Sequence, residues 1–281
     1  MTLRLAGAAH RAFTGRPAAP ADPFLARIYS DMAELYGTAF DRERFEHANR
    51  NTFTDMARVL LDVLPPVPDA VDLVVVASAV PDFDPRESVV SYLTEALPGT
   101  PQSFALSDQG DAAPYTALRL AGQYAAEEQA GRVLLTVFDQ TTVPANPGPP
   151  RQGTDARDGA AALLLSAEGS GAPTGVRQYG GLTREDAHAL LRESLPGGPA
   201  TLLLGGGLDA ERVAVPSGVT VERASAEFPC SGAWGLLADQ LPHFAGQRLP
   251  VFLADFVPQG TDEEKAGELS FCVVDFGAAS A

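Results

Sequence analysis

Cys230 is the side chain of this sequence best placed for nucleophilic chemistry. It precedes Ser231 and Gly232 at the start of an apolar helical run, and a thiol at a helix N-terminus is favoured as the thiolate. The alternative is a small residue filling a turn, since a cysteine becomes a nucleophile only with a base in reach. Cys272 lies inside the apolar run 269–274, where a free cysteine behaves as a small core residue. The two cysteines share no metal-ligand spacing, so neither a zinc site nor a disulfide framework is expected.

Gly205, Gly207 and Ala210 follow an apolar run in the pattern G-x-G-x-x-A, with Glu222 further on where a dinucleotide fold keeps a ribose ligand. Only 208–214 separates them from Pro216 and Gly218, too short for the usual crossover helix. The glycines therefore read as a tight turn needing positive φ, and no cofactor is expected. His188 falls on the polar side of an amphipathic helix at 183–195 and His243 near a helix end, so both read as solvated. His10 and His47 pair with no nucleophile in sequence, and no G-x-S-x-G turn exists for a serine triad. The acidic stretch Pro81, Asp82, Phe83, Asp84 reads as a solvated loop after a strand, although loops at strand carboxyl ends also line ligand crevices.

The elements that position these residues occur in one order, twice. The first half carries strands at 71–77, 103–106 and 132–138 around a helix at 112–129, then an apolar strand at 159–166. The second carries strands at 201–204, 219–223 and 250–256 around a helix from 231 to about 244, then a strand at 268–276. A duplicated α/β unit follows, divided into halves 1–150 and 151–281. Before it come a strand at 3–8 and helices at 24–36 and 52–64, the latter with Met56, Val59, Leu60 and Val63 at helical spacing and ended by Pro65, Pro66 and Pro68. The Pro- and Gly-rich stretch 141–158 reads as a long surface connection that could be a lid, a partner contact or a linker.

Composition narrows the function classes. With 20 Lys and Arg against 36 Asp and Glu the net charge is −16, which argues against nucleic acid because duplex binding draws on cations that neutralise phosphates. No basic amphipathic helix points to a membrane surface, and no run of about 18 apolar residues is long enough to span one. The first 20 residues lack the charged start and apolar block of a secretory signal, so the cytoplasm is expected. Any basic patch for an acidic partner would have to be assembled by folding.

The segment 103–124, SFALSDQGDAAPYTALRLAGQY, resembles the nucleophile segment of ketoacyl synthase III enzymes in the thiolase superfamily. Residues 52–79 are similar to that family's helix and strand before the nucleophile, 158–166 to its Asp-Gly-Ala-Ala strand, and 228–241 to its Gly-Asn-Thr-Ser-rich turn and helix. The resemblance implies an α/β fold, a layered αβαβα thiolase-like unit of two pseudo-repeated halves, and dimerisation through sheet edges of the first half. It also implies a catalytic cysteine, histidine and asparagine. Here the cysteine position falls on Gly110 or Asp111, the histidine position on Gly205 to Gly207, and the nearest match to the asparagine is Cys230.

The resemblance would thus place Cys230 in the central cavity with Asp108 or Asp111 as a base. It implies a ketoacyl synthase III-like protein of polyketide or fatty acyl specialised metabolism that handles a thioester of an acyl carrier protein or coenzyme A, but not a conventional condensing enzyme. Two classes stay open. One is an acyl-transferring or thioester-hydrolysing enzyme built on Cys230 with Asp108 or Asp111, acting as a homodimer. The other is a non-catalytic subunit resembling a chain-length factor, in a heterodimer with an active ketosynthase.

Overall fold

The computed structural model describes residues 1–15, 22–35, 37–67, 69–142, 156–258 and 266–277, so Pro68 and most of the 141–158 connection lie outside the described residues. In chain order the elements are β1 (Arg4–Phe13), α1 (Pro23–Leu35), α2 (Arg42–His47), α3 (Phe53–Val63), β2 (Leu73–Ser78), α4 (Val89–Ala96), β3 (Gln102–Leu106), α5 (Ala113–Ala126), β4 (Arg132–Asp139) and β5 (Asp158–Ser166). There follow β6 (Ala172–Leu182), α6 (Arg184–Ser194), β7 (Ala200–Leu204), α7 (Ala210–Val213), β8 (Val219–Arg223), α8 (Gly232–Asp239), α9 (Leu241–Gln247), β9 (Val251–Pro258) and β10 (Gly267–Asp275).

The strands form two five-stranded sheets, β1-β5-β4-β2-β3 and β6-β10-β9-β7-β8, the same order executed twice. In each, the three strands at one side are parallel and the outer two antiparallel. The first sheet takes its fifth strand from residues 158–166, past residue 150.

Strand parity explains how the sheets stack. Successive side chains point to opposite faces, and both faces of the central strands are apolar, as in sheets covered on two sides. From β2, Leu73, Val75 and Ala77 join one cluster while Val74 and Val76 join another. The first cluster also takes residues of α5 and α8 together with Leu203, Val251 and Leu253 of the second sheet, so it lies between the sheets. The outer faces pack on α3 and α4 in one half and on α6 and α7 in the other. At the centre, Tyr115 of α5 meets Trp234 of α8 edge to face, with centroids 5.0 Å apart, an arrangement favoured by the ring quadrupoles.

The repeat extends to the helix caps. Thr52 accepts a hydrogen bond from the Asp55 amide at the start of α3, and Thr183 accepts one from the Asp186 amide at the start of α6. Both are T-x-x-D starts that satisfy an otherwise unpaired helical N–H. The expected helix from 231 to about 244 is instead two, α8 and α9, because the backbone turns at Gln240 just before Pro242.

Two other expectations change. His188 is buried rather than solvated, at 3% exposure, and its Nε2 accepts the Asp209 amide at 3.1 Å, joining α6 to the start of α7. The Asp82–Asp84 loop is structural as well. Asp82 accepts the Phe53 amide and Gln140 Nε2, while Asp84, 5% exposed, is held by Arg86.

Candidate functional site

Parity also places two carboxylates on the face between the sheets. Asp139 continues the series Val133, Leu135, Val137 along β4, and Asp255 continues Val251, Leu253 along β9, the apolar members of which all lie in the central cluster. A charge here has to be met by donors, since a buried polar group without partners costs several kcal/mol. For Asp139 those donors come from the opposite half. Its Oδ1 accepts the Cys230 amide at 2.8 Å, and its Oδ2 accepts the Ser231 amide at 2.7 Å and the Ser231 hydroxyl at 2.6 Å. The end of β4 is thereby tied to the turn that starts α8, where backbone N–H groups and the helix dipole favour a negative charge. Burial nevertheless pushes the Asp139 carboxyl up to about 7, against the pull of these three hydrogen bonds.

Asp255 has donors in its own half. Its Oδ1 accepts the Gly207 amide at 3.0 Å and the Phe256 amide at 2.7 Å. This explains the glycines after β7 differently from the expected positive φ, which neither Gly205 nor Gly207 adopts. A Cβ at Gly205 would lie on the Asp255 carboxylate, and one at Gly207 on the Phe256 carbonyl oxygen. The need is for close approach of backbone and carboxylate. The helix that follows, α7, has four residues and opens on an Asp209 cap.

Cys230, at 3% exposure, sits among these carboxylates. Burial pushes its thiol well above the ordinary range, and Asp139, Asp111 and Asp255 push it further, against a hydrogen bond with the Ala79 backbone. The expected bias toward thiolate is reversed. The donors at the head of α8 are spent on Asp139, so Cys230 faces negative charges rather than an open helix terminus.

The two aspartates of the β3–α5 turn part company. Asp111, 4% exposed in the short 3-10 turn Gly110–Ala112, belongs with Cys230. Asp108 is exposed, takes a left-handed φ of 63°, and accepts the Ser107 hydroxyl at 3.0 Å. It lines a separate cleft of about 810 Å³ that reaches Gly110 but includes neither Cys230 nor Asp111.

Tyr115 completes the centre. Its side chain is 1% exposed, and its hydroxyl has no hydrogen-bond partner among the described residues. Burial raises it well above the ordinary phenol value, with Cys272, Asp255, Asp111 and Cys230 adding to the effect. Sequence reading passed over Asp139, Asp255 and Tyr115. The signal for the two aspartates is present: a single acid in each of two mainly apolar strands, at the end of β4 and within β9, on the parity of the residues that face the central helices.

Among the described residues no group of three or more His, Cys, Asp or Glu could hold a metal ion. No described helix is long and apolar enough to cross a membrane.

No protein-family model matches the chain, and no curated protein matches it in sequence. Solved structures match along nearly all of it. AbyA1, a tetronic acid condensing enzyme, shares 18% identity with a TM-score of 0.61 over 98% of this chain and 100% of its own. ChlB3, an acyltransferase, shares 15% with a TM-score of 0.63 over 98% of each chain. A 3-oxoacyl-(acyl-carrier-protein) synthase III from Aquifex aeolicus VF5 shares 12% with a TM-score of 0.55, over 98% of this chain and 100% of its own. At such identities the likeness concerns the fold, which is thiolase-like: layered αβαβα, in two pseudo-repeated halves.

Proposed function

We propose that this chain serves acyl-thioester metabolism without running a cysteine-histidine-asparagine condensation, as a non-catalytic subunit that pairs with an active ketosynthase. One observation carries the reading. Where the resemblance calls for a nucleophile, the turn holds Gly110 and buried Asp111, and the remaining central cysteine, Cys230, is kept a thiol by its burial, with three nearby carboxylates adding to the effect. A buried thiol surrounded by acids is a poor nucleophile. The kinship in fold to a condensing enzyme, an acyltransferase and an acyl-carrier-protein-dependent synthase supports the substrate class. The free edge of the first sheet, β3, is the edge proposed to pair with a partner or a second copy.

A second reading has its own observation. Asp139, pushed up to about 7, could take a proton near neutrality, and with Asp111 it flanks Cys230, so a thiol and a base do share one enclosure. Under that reading Cys230 passes its proton to Asp139 and attacks the thioester carbonyl, the new Cys230–acyl bond replaces the acyl–sulfur bond of the substrate, and the carrier or coenzyme A leaves as its thiol after taking a proton.

The two readings separate by incubating the protein with acyl-coenzyme A and acyl-carrier thioesters and measuring intact mass. An acyl adduct that Cys230→Ala removes overturns the subunit reading. No adduct, together with a defined complex with a ketosynthase from the same source, is the result expected.

A further inference from the structure

We infer that the cleft beside Gly110 binds an organic acid through Arg119 and Arg177. The cleft, of about 810 Å³, runs between α5 and the outer strand β6, and both guanidinium-bearing residues line it. Its volume falls in the range of small-molecule sites. The two arginines come from different halves of the duplicated fold, so this patch exists only once the halves are packed.

The lining charges balance in number, and the difference lies in which polar atoms already have protein partners. Two acids also line the cleft, and both are engaged: Glu268 Oε1 accepts Gln178 Nε2 at 3.0 Å and the Ser270 hydroxyl at 3.3 Å, and Asp108 accepts the Ser107 hydroxyl. Neither the Arg119 nor the Arg177 side chain has an ion-pair or hydrogen-bond partner among the described residues, while nine ion pairs there hold an Arg or His against a carboxylate. In a chain of net charge −16 carboxylates abound, yet these two exposed guanidiniums line one concavity with their donors held by no protein carboxylate, open to an oxyanion that displaces their water. Guanidinium forks answer it with paired N–H donors.

The rest of the wall supplies a seat for the organic body. Val176, Tyr179 and Val257 give apolar surface. Beside them a fixed polar chain runs from Gln178 Nε2 to the Thr116 hydroxyl at 2.9 Å and from that hydroxyl to Gln109 Oε1 at 2.6 Å, with Thr116 only 8% exposed. Both amides are held by the Thr116 hydroxyl, which leaves the arginines as the groups that select the ligand. The inference is independent of whether the chain handles thioesters.

Isothermal titration at low salt tests it with acetate, hexanoate, hexanamide and inorganic phosphate as probes. Hexanoate is expected to bind at least about 10-fold tighter than acetate, because its methylenes are buried, and at least about 10-fold tighter than neutral hexanamide. Arg119→Gln and Arg177→Gln are each expected to weaken hexanoate about 10-fold or more; both positions are exposed, and unchanged thermal midpoints establish that each variant is folded. Equal binding of hexanamide, phosphate as tight as hexanoate, variants that bind like the parent, or no binding of any probe at about 10 mM each overturns the inference.

Discussion

Replacing Asp139 by asparagine isolates a carboxyl that is buried in the core and accepts three hydrogen bonds from the head of α8. A carboxyl with a raised folded-state value binds its proton more tightly folded than unfolded. Its contribution to stability is therefore full below the unfolded value near 4 and is lost as pH climbs through about 7. With about 1.36 kcal/mol per pH unit over the interval in which the two states differ, the group withdraws about 2 to 3 kcal/mol between about pH 5 and about pH 8. At the lower pH the native Asp139 is neutral, so an asparagine of the same shape is a close match, with one oxygen left to accept from the head of α8. At the higher pH the aspartate carries a buried charge and the asparagine does not. Denaturant unfolding of both proteins across this range, followed through the fluorescence of the one tryptophan, Trp234, gives the difference directly. Asp139→Asn is expected to gain about 2 to 3 kcal/mol relative to the parent from low to high pH. Stability curves that run parallel, within about 0.5 kcal/mol, refute the reasoning, because the carboxyl would then be ionised in the folded protein throughout, held by its three donors.

Other perturbations probe the same framework. Cys230 and Cys272 are both buried, so a thiol reagent at neutral pH is expected to modify neither in the native protein and both in denaturant; rapid native labelling abolished by Cys230→Ala contradicts the raised thiol. Gly207→Ala drives a methyl onto the Phe256 carbonyl oxygen, and since neither backbone can yield, a loss of roughly 3 kcal/mol is expected in thermal or denaturant unfolding. A fully stable variant would show that the β7 turn can move away. Thr52→Ala and Thr183→Ala each remove a cap hydrogen bond and are expected to cost about 1 kcal/mol apiece. Their effects add in the double variant, the caps being in separate halves; strong non-additivity in denaturation would point to coupling between them.

What the residues alone determined is the repeat. Apolar runs of strand length, separated by helical periodicity in the same order twice, dictate duplicated sheets because each run has to bury both faces. The observed strands β3, β8 and β10 fall within a residue or two of those expected. The caps at Thr52 and Thr183, found only in the structure, are local as well, since a side chain three residues from its amide partner needs no tertiary context. What only packing decided is the site. Asp139 and Cys230 are 91 positions apart, and nothing local says that β4 ends against the head of α8. That contact turns an exposed-looking helix start into a saturated one and reverses the chemistry read from Cys230. The buried His188 followed the same rule, its neighbour Asp209 arriving from another element. Sequence spacing sets periodicity, but a charge acquires its partners, and so its protonation, from chain segments that meet only when the halves close.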